Sequence, residues 1–151
     1  MTESFVIQSD IAVLPEVEER LFHFCRECNV GNCHSVVSMA ALQAVENAIV
    51  HGNHSDASKT VSVEFGTCRG GVYVSVADEG EGFEYERYGA LPSETSQAGE
   101  GIFVMKTLAD RMKYSDGGRK VRMEFDVMGI DPTDALDRVA VLQKHFLAVV
   151  V

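Results

Sequence analysis

Three short segments of this 151-residue chain carry residue types at spacings that could do chemistry. The first is Gln43-Ala44-Val45-Glu46-Asn47-Ala48-Ile49-Val50-His51-Gly52-Asn53. Gln43, Asn47 and His51 recur every four residues, so on a helix they share a face. Polar groups in an otherwise apolar helix need partners. The second is Val76-Ala77-Asp78-Glu79-Gly80-Glu81-Gly82-Phe83. Here a carboxylate leaves a strand just ahead of two glycines, which permit close backbone approach to a ligand. The third is Gly99-Glu100-Gly101-Ile102-Phe103, opening a helical pattern. Backbone N–H groups exposed at a positive helix end form a ready anion site. Taken singly, each has a plainer explanation: a hydrogen-bonded core amide, a turn, and an N-terminal loop.

Other site signatures are missing. There is no Walker P-loop, no complete dinucleotide glycine fingerprint, no H-E-x-x-H and no G-x-S-x-G. His23, Cys25, Cys28, Cys33 and His34 crowd together, and Cys25-x-x-Cys28 has metal-ligand spacing. Leu21, Phe22 and Phe24 interleave with them and no second Cys-x-x-Cys follows, so buried reduced thiols are the expectation and zinc the alternative.

The elements that must position these groups follow from periodicity. Ser4 to Ser9 reads as a strand. Pro15 opens a helix with Glu16, Glu18 and Glu19 at its positive end, and Leu14, Val17, Leu21, Phe24 and Cys28 form its apolar stripe. A second helix, about His34 to Val50, is apolar around most of its circumference. Thr60 to Phe65 and Val72 to Val76 alternate as strands around an Arg69-Gly70-Gly71 turn. From Asp78 to Gly101 regular patterning dissolves into a long loop of the kind that is usually functional. A third helix is expected over Ile102 to Lys113, a strand over Lys120 to Val127, and a last amphipathic helix over residues 133 to 147. This order predicts an α+β two-layer sandwich: a mixed, mainly antiparallel sheet with helices on one face.

The formal charge of −10 argues against a general nucleic-acid binder and against an anionic membrane surface. The longest apolar run, Phe146 to Val151, is far short of a membrane span, and no secretory pattern opens the chain. A cytoplasmic protein is the expectation.

The joint order of the three segments resembles the GHKL, or Bergerat-type, ATP-binding superfamily, and within it the anti-sigma-factor serine protein kinases. Asn47-Ala48-Ile49-x-His51-Gly52-Asn53 is similar to that family's N box. Asp78-x-Gly80-x-Gly82-Phe83 and Gly99-x-Gly101-Ile102-Phe103 are similar to its two glycine boxes. The resemblance covers about residues 4 to 127 and implies an ATP-binding domain over 1–130, with a C-terminal helical extension over 131–151. It implies that Asn47 offers its side-chain oxygen to Mg²⁺, with His51 in the same box. It implies that Asp78 accepts a hydrogen bond from the adenine amine, and that Gly80, Gly82 and Phe83 lie along the base and sugar. A lid over Glu84 to Ala98 would close on the nucleotide. Gly99, Gly101 and the N–H groups of Ile102 and Phe103 would cradle phosphates. The partners implied are a sigma factor and a STAS-type anti-anti-sigma protein, whose serine is phosphorylated. Relatives often form homodimers.

The chain departs from that pattern in three places. Gln43 stands where the family has its general-base glutamate, and an amide cannot take a proton near neutral pH. Glu46 is the nearest carboxylate but points about 100° away from Asn47 around the helix. Residues 88 to 105 hold no Lys or Arg, and Arg119 follows Gly117-Gly118 where relatives often have threonine. The alternative is therefore a nucleotide-binding regulator that sequesters a partner with little or no kinase activity. A free-standing relative of the histidine-kinase catalytic domain is a third class, although no dimerisation helix pair precedes the boxes.

Overall fold

The computed structural model describes residues 1–87, 97–126 and 139–144. Five strands form one sheet: β1 (Thr2–Gln8), β2 (Thr60–Cys68), β3 (Gly71–Ala77), β4 (Arg111–Ser115) and β5 (Lys120–Phe125), in the order β1-β2-β3-β5-β4. All four pairings are antiparallel. Alternation decides the faces. Ile7, Val61, Val76 and Val121 point inward with Val63, Phe65, Val74 and Met123, while Ser4, Ser62 and Glu64 lie on the opposite face. The register aligns these inward sets, pairing Ile7 with Val61, Val63 with Val76 and Val74 with Met123. Between β2 and β3 the chain reverses at Arg69-Gly70, where Gly70 has φ +83.

Three helices cover the inward face: α1 (Leu14–Glu27), α2 (His34–Asn47) and α3 (Gln97–Leu108). Pro15 sits in the first turn of α1, and Val17, Leu21, Phe24 and Cys25 are buried from it. Asn29, at φ +58, ends that run. The middle helix, α2, buries Val36, Val37, Ala40, Ala41, Ala44 and Val45, as its nearly continuous apolar surface requires. Met39 of the same helix is 37% exposed. Ile102, Met105 and Leu108 of α3 complete the core.

Two expectations are corrected. The third helix begins at Gln97 and ends at Leu108, not Ile102 to Lys113, and its expected last turn is strand β4. Met112 kept the helical spacing of Met105 and Leu108, but Asp110 leaves the helix: its N–H donates to the Glu124 carbonyl, and Met112 then pairs with Met123. The strand expected to reach Val127 ends at Phe125. Most of the expected lid, residues 88–96, lies outside the described residues, as do 133–138 and 145–147 of the expected last helix. Residues 139–144 are helical, and Leu142 is buried in the core.

Candidate functional site

α2 does not stop cleanly after Asn47. The Asn53 N–H donates to the Ala48 carbonyl at 2.8 Å, five residues back, and Ala48–Gly52 forms a wider, π-type turn. That turn breaks the even four-residue spacing: Asn47 remains half-buried at the end of α2, while His51 is exposed. It also lays the Gly52 backbone against the Asp78 carboxyl and against Gly80. A Cβ at Gly52 would overlap the Asp78 carboxyl, and one at Gly80 would overlap the Gly52 carbonyl.

Asn53, the last residue of the first segment, is 0% exposed and locks this junction. Its Nδ2 donates to Ser9 Oγ and to the Thr60 carbonyl, both at 2.9 Å, and its Oδ1 accepts from the Glu79 N–H at 2.8 Å. The strand end carrying Asp78 is thereby held by three elements distant in sequence. Asp78 itself donates its N–H to the Arg119 carbonyl and accepts from the Gly80 N–H at 2.8 Å. Burial pushes the Asp78 carboxyl up from the ordinary aspartate range, with the Gly80 N–H and Arg119 pulling in the opposite direction.

A cavity of about 260 Å³ opens beside Asp78. Ala44, Ala48, Val76, Ile102, Met105 and Val121 give it apolar walls; Asn47 and Asp78 give it polar points; His51, Phe83, Tyr114 and Arg119 also line it. Phe83 packs edge-on against Tyr114, ring centroids 5.2 Å apart, and Tyr114 stacks on Tyr85 at 5.0 Å. Gly82, at φ +81, lies so close to the Gly117 carbonyl that no side chain fits. Gly101 faces the Asn47 amide, where a Cβ would sit 2.6 Å from Nδ2.

The fold thus gathers Asn47, His51, Asp78, Gly82, Phe83 and Ile102 around one cavity, with Gly80 and Gly101 packed behind Asp78 and Asn47. Gln43, Glu46 and Phe103 are not in its lining: Glu46 is exposed, and Phe103 packs on the core. Because α3 begins at Gln97, the described N–H groups without intrahelical partners belong to residues 97–99, Gly99 among them, whereas Ile102 and Phe103 lie in its second turn. Sequence reasoning placed Gly52 and Asn53 in the N-box segment without giving either a role of its own, and gave no site role to Met105 and Tyr114. Asn53 had one available signal, an amide directly after Gly52, but its partners are set by tertiary packing. Among the described residues no group of three His, Cys, Asp or Glu could hold a metal ion, and all four cysteines are free thiols. Burial pushes the Cys25 thiol up to about 12.

Residues 23–125 match the family described as "Histidine kinase-like ATPase domain". The chain belongs to that family. It is similar to the anti-sigma F factor of Clostridium perfringens, 35% identical over 96 residues that span 58% of this chain and 69% of that protein. It is also similar to the serine-protein kinase RsbW of Bacillus subtilis, 31% identical over 89 residues that span 53% of this chain and 56% of that protein. The histidine kinase domain from the Erythrobacter litoralis EL346 blue-light activated histidine kinase shares the fold, with a TM-score of 0.53 at 16% identity over 87% of this chain and 66% of that one. No helix among the described residues is long and apolar enough to cross a membrane.

Proposed function

We propose that this protein is an ATP-binding anti-sigma factor and serine protein kinase that acts in the cytoplasm on a sigma factor and a STAS-type anti-anti-sigma partner. One observation carries the reading: Asn47 and Asp78 meet at a single apolar-walled cavity in a chain of this ATPase family. The names of its relatives, an anti-sigma F factor and a serine-protein kinase, support the partner and reaction class. Residues 1–130 are read as the ATP-binding domain and 131–151 as its helical extension; the burial of Leu142 supports packing of that extension on the same core.

The residues present fit a nucleotide. Apolar walls from Val76, Met105 and Val121 suit a heterocycle, and the Asp78 carboxylate suits its exocyclic amine. Gly101 leaves room for the Asn47 amide, whose oxygen suits Mg²⁺, a cation commonly held by few protein oxygens plus phosphates. Bound Mg²⁺-ATP would supply the transferable phosphoryl group. Asn47 orients the metal end, Asp78 selects the base, the apolar wall excludes water, and the free N–H groups at the start of α3 face negative charge.

A specific observation favours a second reading, a nucleotide-binding regulator with little kinase activity. Gln43 occupies the base position and lies outside the cavity lining, and Glu46 is exposed and outside it too. Calorimetric titration with Mg²⁺-ADP tests the nucleotide site. Incubation with Mg²⁺-ATP and the anti-anti-sigma partner, read by phosphoserine mass spectrometry, tests the kinase. Binding without phosphoserine at any protein concentration selects the second reading, and no binding rejects both.

A further inference from the structure

Arg119 follows two glycines in the turn between β4 and β5, and its side chain lines the cavity and reaches back to the segment after β3. Nε donates to the Gly80 carbonyl at 2.7 Å, Nη2 to the Glu81 carbonyl at 3.1 Å and Nη1 to the Asp116 carbonyl at 3.0 Å. Gly80 and Glu81 lie 39 and 38 positions away in sequence. The guanidinium therefore spends its planar fork on main-chain oxygens of two separate segments. The main chain closes the same gap: the Asp78 N–H donates to the Arg119 carbonyl at 2.9 Å, and the Phe83 N–H to the Gly117 carbonyl at 3.0 Å. Gly82 and Gly118 permit that approach, since a Cβ on either would strike the facing segment. Residues 78–83 and 116–119 are in this way laced into one wall, and Arg119 lines the cavity beside Asp78.

We infer that Arg119 is a positioning residue for the nucleotide site, holding the Asp78–Phe83 loop in its ligand-ready shape before any ligand arrives. The inference rests on the nucleotide reading for what the loop binds, and on hydrogen bonds alone for the loop's order. Residues 79–83 carry three glycine-adjacent carbonyls and few apolar anchors, and an unbraced loop of that composition samples many conformations. A site whose competent form is only partly populated binds its ligand more weakly by that fraction. Lysine cannot replace arginine here, because one ammonium has no planar fork with which to span three carbonyls.

The test compares the full chain with Arg119→Ala and Arg119→Lys in two measurements. In the nucleotide-free proteins, amide hydrogen exchange over 79–83 is expected to speed up about tenfold or more in both variants, from the loss of up to three bonds. Exchange in β3 should change far less than in the loop, and the thermal midpoint should fall by only a few degrees. ADP affinity should fall about tenfold in both. Unchanged loop exchange in Arg119→Ala overturns the inference. So does full recovery by Arg119→Lys, or a loss of β3 protection and thermal midpoint in step with the loop, which marks a general stability role. If the parent chain binds no ADP, the nucleotide reading fails, while the exchange comparison still decides whether Arg119 orders the loop.

Discussion

Replacing Asn53 by alanine probes the junction on which the whole site depends. The side chain is 0% exposed and makes three hydrogen bonds, to Ser9 Oγ, the Thr60 carbonyl and the Glu79 N–H. A net hydrogen bond is worth about 1 kcal/mol, and a buried partner left unsatisfied costs more. Three bonds therefore put the loss at roughly 3 kcal/mol. Ser9 keeps its own bond to the Lys59 carbonyl, so the orphaned groups are mainly the Glu79 N–H and one lone pair of Thr60. With a urea m-value of about 2 kcal/mol/M, a 3 kcal/mol loss lowers the unfolding midpoint by about 1.5 M. Ser9→Ala, which loses two bonds, should cost about 2 kcal/mol, and the double variant less than the sum, because the two residues share a bond. Asn53→Asp should not rescue: a carboxylate can accept from Glu79 but would turn an oxygen toward the Thr60 carbonyl. A midpoint shift below about 0.3 M for Asn53→Ala, measured by circular dichroism, would refute the claim that this amide holds the strand end in place.

The remaining predictions concern the cavity. Asp78→Asn should weaken ADP binding at neutral pH while leaving stability equal or higher. The carboxyl is raised by burial, so the folded state binds its proton more tightly than the unfolded chain. Stability from this group is thus lost as pH rises from the ordinary aspartate range through the raised folded value, and the amide removes that slope in urea titrations at stepped pH. In the parent chain, ADP affinity should fall on acidification at a higher pH than an unperturbed aspartate would dictate, which calorimetry checks. Gly101→Ala should push the Asn47 amide aside and lower ADP affinity about tenfold in Mg²⁺ but much less in EDTA; equal losses in both would place the metal elsewhere. Gln43→Glu should raise phosphoserine formation on the partner by about a hundredfold if a missing base limits the reaction; no increase means that the base position is not limiting.

Much of this protein was determined by local chemistry. Pro15 with its glutamates starts α1, the apolar circumference of α2 places it between the other helices, and strict alternation in Val61-x-Val63-x-Phe65 and Val72-x-Val74-x-Val76 sets two strands and their inward faces. The positions of Asn47, Asp78, Gly80 and Gly82 were legible for the same reason, because motif spacing survives in one dimension. Strand β4 was not, since Met112 fits a helical repeat as well as a strand, and only pairing with Met123 across the sheet distinguishes them. The π-type turn after Asn47 was equally hidden, because it depends on where Asn53 finds its buried partners. Local periodicity is a property of neighbours along the chain. The clearance at Gly52, the burial of Asn53 and the reach of Arg119 arise between segments far apart in sequence, where hydrogen-bond satisfaction and excluded volume act only once the chain has folded.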